Sequence, residues 1–234
     1  MSKEHNLSLR ERKYAQTKIA LVNAAVNLMK EKRFKDIALK ELCDTIPISE
    51  MTFYHYFPKK TDLLVYVIQL WGLELAWKRK QWEQEKSGLE IIATIFETTA
   101  QKTEENPIFF AEAVRMFSQR LEKPCFEDLS IAEKLSAFPD FPGIENIQVT
   151  PMEIPDMLKA YLEQAVREGE LPESADLDML ALMLEALQHG SLMKAYWQRK
   201  VSWRVIYKQQ LQLIWDGVWA QDAKHQSAEK TASN

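Results

Sequence analysis

The chain has 234 residues, 46% hydrophobic and 27% charged, with a formal net charge of −4, enough apolar material for one large domain or two modest ones. Its two cysteines, Cys43 and Cys125, have no Cys or His at ligand spacing, which argues against a zinc site or a disulfide framework and leaves no metal or cofactor to expect. The polar first residues and the lack of any uncharged apolar run of about 18 residues argue against a secretory signal and a membrane span, so a cytoplasmic protein is expected.

The charge is uneven along the chain. Residues 1–62 hold 12 Lys and Arg against 8 Asp and Glu, and residues 63–234 hold 18 against 26. A basic head on an acidic body suits an end that meets phosphates. Gly is scarce, while Ala, Leu, Glu, Lys and Gln recur, so the expected fold is all-α with no strands.

Ile19, Val22, Val26 and Met29 repeat at helical spacing and predict a first helix over Tyr14–Lys32. Leu39, Leu42, Cys43 and Ile46 predict a second of about two turns, ending before Pro47. A third begins at Ser49, whose hydroxyl suits an N-cap, followed by Glu50 at the positive end of the helix dipole. Pro58 ends it. Three helices with a tight turn between the second and third outline a helix-turn-helix.

A long fourth helix is expected from Asp62 toward Glu85, and a fifth over Leu89–Thr103. Asn106-Pro107 opens a sixth that continues to about Leu121. Residues 123–155 contain five of the nine prolines and read mainly as connection, with a short helix at Leu129–Ser136. Helices resume at Met157–Gly169, Ser174–Arg199 and Ser202–Ala220. The polar end from Gln221 is expected to fray.

The run from Ile37 to Leu64, IALKELCDTIPISEMTFYHYFPKKTDLL, resembles the DNA-binding segment of the TetR (tetracycline repressor) family of transcriptional regulators. Leu42-Cys43 stand at that family's I-A pair and Pro47-Ile48-Ser49 at its turn. Tyr54, Tyr56, Phe57, Lys60 and Leu63 match its closing Y-x-Y-F-x-x-K-x-x-L. The resemblance implies an N-terminal three-helix DNA-binding domain followed by a helical ligand-binding and dimerisation domain. The expected boundaries are residues 1–62, 63–222 and a polar tail at 223–234.

Residues at the start of a recognition helix reach base edges in the major groove, so Glu50, Met51 and Thr52 are the candidate readers, with Ser49 before them. Tyr54, His55 and Tyr56 carry donors suited to phosphates, and Lys60 would add a cation near the next helix start. Lys40 and Thr45, with Arg10, Arg12 and Lys13, are further backbone candidates. Phe53 and Phe57 read as core. Four positions depart from the family pattern. Arg33, Pro47 and Met51 replace glycines, and Ala38 replaces a Thr cap, so the turn and the base readout are expected to differ.

In the body the resemblance implies a pocket and a dimer face. Leu177, Leu180, Leu184 and Leu187, with Met179 and Met183, make one face of the ninth helix, and Trp203, Tyr207, Leu211, Ile214 and Val218 make a stripe on the tenth. A homodimer would place two recognition helices on a palindromic site in double-stranded DNA. Trp71, Phe96, Phe110, Met116, Phe117, Met183, Glu185 and His189 are pocket candidates for a mostly apolar effector, although the same aromatics also suit a core. No GxGxxG, GxxxxGK, HExxH or GxSxG is present, so no catalytic residue is assigned. A protein-interaction module or an enzyme of unrecognised activity remains the alternative.

Overall fold

A computed structural model describes residues 7–118, 128–148, 154–197 and 201–232. The described residues hold ten α-helices and no strands, in the all-α architecture expected of a helix-turn-helix head and a helical body. They group into two compact units, residues 1–80 with 106–152, and residues 81–105 with 153–234. The sequence-derived head of residues 1–62 lies wholly within the first unit.

In the first unit α1 spans Leu9–Leu28, five residues earlier than the apolar stripe alone suggests. The cause is a capping box. Ser8 accepts from the Glu11 amide, and the Glu11 carboxylate accepts from the Ser8 amide at 2.8 Å. Its buried face is also wider than predicted, adding Ala15, Leu21 and Ala24 to Val22, Ala25 and Met29. A 3-10 turn at Phe34–Asp36 leads to α2 (Leu39–Thr45), α3 (Glu50–Tyr56) and the long α4 (Lys60–Trp82).

The same unit contains α6 (Pro107–Ser118), capped by Asn106, whose side chain accepts from the Phe109 amide and donates to Val26 O at 3.1 Å. A strap of residues 128–148 completes it. The strap consists of α7 (Ile131–Ala137), set by a second capping box between Ser130 and Glu133, and a 3-10 turn at Ile144–Asn146. α7 packs on α1, while Trp77 of α4 lies 4.3 Å from the Phe141 ring and donates its indole N–H to Pro142 O at 2.9 Å.

The second unit comprises α5 (Gly88–Glu105), α8 (Ile154–Arg167), α9 (Leu177–Trp197) and α10 (Trp203–Ala232). Gly88 lets the start of α5 meet α8 directly, since a Cβ there would lie 2.7 Å from Ala165 N and closer still to Tyr161 O. Gly169, at φ 76°, closes α8 in the left-handed conformation that glycine tolerates. α10 differs from the sequence expectation. It does not fray at Gln221 but continues to Ala232, and its Asp222 is buried, accepting from Ser174 at 2.5 Å and from Gln226. The i,i+4 partner Gln226 supports a helix whose composition is otherwise solvated.

Among the described residues no helix is long and apolar enough to cross a membrane, and no three His, Cys, Asp or Glu side chains gather as a metal site.

Candidate nucleic-acid interface

The turn between α2 and α3 is built without glycine. Ile46 and Ile48 both donate their amides to Cys43 O, at 3.3 and 3.2 Å, and no non-glycine residue among those described has a positive φ. Pro47 is therefore accommodated because this turn never enters the left-handed region. Ala38 precedes α2 with no side-chain cap bond, so a first-turn amide lacks the partner a Thr would supply. Ser49 caps α3, accepting from the Thr52 amide at 3.0 Å, while its hydroxyl meets the Thr52 hydroxyl at 2.8 Å.

One side of α3 is rooted in the core and the other is open. Phe53 is fully buried and Phe57 nearly so, and their rings lie 5.7 Å apart, the structural roles expected of them. Met51 is 84% exposed and Tyr54 50%. Lys40, Thr45, Ser49, Glu50 and His55 are exposed too, while Thr52 and Tyr56 are half-buried. An exposed Met at such a level carries apolar surface that no neighbour in the chain covers. Arg10, Arg12 and Lys13 are exposed along the first turns of α1.

Lys60 is placed differently from the sequence expectation. Its ammonium folds inward, donating to Phe34 O at 2.7 Å and to Ile37 O, and lies 4.6 Å from the centre of the Phe34 ring. Burial lowers its pKa below the usual lysine value. Two of its three protons are thus spent on the carbonyls that precede α2, which makes it a tie between α4 and that segment instead of a free phosphate anchor.

Sequence reasoning missed the base of α3. Tyr14 of α1 stacks on Tyr56 with ring centres 4.8 Å apart and meets His55 edge-on at 6.1 Å. Lys18, one turn further along α1, lies 4.1 Å from the centre of the Tyr66 ring and 5.4 Å from that of Phe57. The Ser-x-x-Glu pattern at 130–133 was legible as a cap. Nothing in the sequence links it to α1.

The pocket candidates are distributed over both units. Trp71 and Phe110 meet edge-on at 5.0 Å in the first unit, where Met116 is buried, and the indole N–H of Trp71 is buried without a partner. The side chain of Phe117 lies outside the described residues. Phe96 is buried in the second unit against Tyr207, 4.9 Å away. Met183 is exposed on α9, as is His189, and Glu185 is half-buried.

Residues 21–67, spanning the last eight residues of α1, both helices of the helix-turn-helix and the start of α4, match the family model described as bacterial regulatory proteins, tetR family. The chain carries the DNA-binding head of a tetR-family transcriptional regulator. Solved structures extend the likeness across the whole tetR fold. The FadR regulator from Bacillus subtilis in complex with stearoyl-CoA shares 15% identity, covering 86% of this chain and 98% of that one at a TM-score of 0.61. A TetR regulator from Haloarcula marismortui shares 16%, covering 86% and 97%, also at 0.61. Thermus thermophilus FadR in complex with lauroyl-CoA shares 16%, covering 84% and 92%, at 0.54. A comparison with curated protein sequences returns no match. The chain thus shares the fold of these regulators, and within it residues 21–67 match the tetR-family model.

Proposed function

We propose that this regulator is an effector-responsive repressor that binds a palindromic operator as a homodimer. The observation that carries the DNA contact is the division of α3, with Phe53 and Phe57 anchored beneath and Glu50, Met51, Tyr54 and His55 open above. Glu50, Met51 and Thr52 read base edges, with Ser49 fixing the helix start. Lys40, Thr45, Tyr54, His55 and Tyr56 meet phosphates. Lys60 serves the same surface from within, by fixing the segment before α2.

The dimer reading is supported by α9 and α10, which leave Met179 51% and Leu213 72% exposed, with Leu182, Met183 and Trp219 also open. Met179, Met183 and Leu213 border a groove of about 470 Å³ also lined by Leu180, Ile214, Gly217 and Val218. Apolar surface on two neighbouring helices suits four-helix packing against a second copy. A two-fold pair then matches a two-fold operator.

For the effector, the unpaired indole N–H of Trp71 beside Phe110 supports a mostly apolar ligand with at least one acceptor. Long-chain acyl-CoA is the first class to test, because two proteins of similar fold hold stearoyl-CoA and lauroyl-CoA. The deciding experiment is operator binding, measured with DNA from upstream of the protein's own gene, with and without acyl-CoAs of graded length. Specific binding that one chain length weakens at least tenfold is the expected result. No preference for that DNA over a scrambled duplex would reject the regulator reading, and preference without any ligand response would reject the acyl-CoA.

A further inference from the structure

The root of the recognition helix holds a buried charge that the head does not neutralise by itself. Lys18 has a side chain only 14% exposed, and its ammonium sits among the rings of Tyr66, Phe57 and Tyr14. Phe57 is the C-cap of α3, and Tyr14 carries the stack on Tyr56. Ring faces attract a cation, but desolvating an ammonium costs more than such contacts return unless a counter-charge is present.

That counter-charge comes from the strap. Glu133, whose side chain is 8% exposed, accepts from Lys18 at 2.6 Å and from the Tyr66 hydroxyl at 3.0 Å through Oε1. Its Oε2 accepts from the amide and hydroxyl of Ser130, at 2.8 and 2.7 Å, closing the box that starts α7. One carboxylate thus caps the strap helix with one oxygen and holds α1 and α4 with the other. Neither Lys18 nor Glu133 falls within residues 21–67, the segment that matches the family.

We propose that Glu133 is a positioning residue for DNA binding: it holds Lys18 beneath Phe57 and Tyr14, and so fixes the angle at which α3 is presented. The inference rests on the regulator reading. Without the carboxylate, Lys18 turns out to water, the aromatic cluster loses its central cation, and α3 loses support at its C-terminal end. The strap is then part of the DNA-binding apparatus, although it begins 61 residues after the matched segment ends.

The test compares wild type, Glu133→Gln, Lys18→Met, their double variant and Ser130→Ala, each as full-length protein. Operator affinity is measured by fluorescence anisotropy, and hydrogen exchange is followed in peptides covering residues 50–57 and α8. Glu133→Gln and Lys18→Met are each expected to weaken the operator complex about tenfold and to speed exchange in 50–57 but not in α8. The double variant should be no weaker than the worse single, within twofold, and Ser130→Ala should stay within twofold of wild type. Unchanged exchange in 50–57 in Glu133→Gln, multiplicative losses in the double variant, or an equal loss in Ser130→Ala would overturn the proposal. Exchange needs no DNA, so it separates this failure from that of the regulator reading. If Glu133→Gln does not fold, Lys18→Met carries the same comparison.

Discussion

The Lys60 ammonium donates to the carbonyl of Phe34 at 2.7 Å across the base of the helix-turn-helix, and its charge also faces the Phe34 ring. Lys60→Met keeps the stem but removes the donors, leaving two carbonyls in need of water. The expected cost is about 1–3 kcal/mol, read as a lower urea midpoint. A phosphate anchor would behave otherwise. Its loss would flatten the dependence of DNA affinity on salt, whereas Lys60→Met should leave that slope unchanged.

The open face of α2 and α3 gives the converse pattern. Lys40→Ala should lower affinity for all duplexes about equally and reduce the salt slope by about one per contacted phosphate. Met51→Ala should leave the slope alone and relax preference at the base pair it touches. Competition binding over a randomised operator library separates the two, and a Met51→Ala variant with unaltered base preference would remove Met51 from the readers.

How much of this was legible in the sequence depends on how local the cause is. The recognition helix could be placed because its signals are adjacent: Ser49 caps it, Pro58 ends it, and the aromatic spacing marks its buried side. The role of Lys60 was not legible. Its spacing matches an anchor, but its direction depends on carbonyls more than 20 residues earlier. The Lys18–Glu133 pair spans 115 residues and joins elements that no periodicity connects. The start of α1 was readable in Ser8 and Glu11 but was outweighed by the apolar stripe, and α10 outran its apolar stripe through polar i,i+4 pairs.

Acid should loosen the strap. Burial alone would push the Glu133 carboxyl up, but hydrogen bonds from Lys18 and Ser130 outweigh that and hold it below its ordinary value of 4.5. A carboxylate lowered by folding adds stability that is complete above the ordinary value and is lost as pH falls through the lowered one. The stability gap between wild type and Glu133→Gln should therefore be widest above about pH 5 and shrink toward pH 3. Urea midpoints across that range measure it, and a gap independent of pH would contradict the assignment.

The dimer face makes a separate prediction. Leu213→Asp places a charge on α10 where the side chain is otherwise 72% exposed, so the isolated subunit should keep its helicity. If α9 and α10 form the interface, the buried carboxylate should shift the protein to monomer in light scattering, at a cost of several kcal/mol per dimer. Operator affinity should fall with it. A Leu213→Asp protein that remains dimeric would place the interface elsewhere.

The central claim, that α3 presents an exposed reading face to DNA, is tested most directly by titrating salt against affinity for the upstream duplex and a scrambled one, in wild type and Tyr54→Ala. The account predicts that wild type prefers the upstream duplex by at least about a thousandfold, with affinity falling steeply as salt rises, and that Tyr54→Ala binds both duplexes more weakly without loss of the dimer. Equal affinity for the two duplexes, or Tyr54→Ala binding as tightly as wild type at every salt concentration, would contradict it.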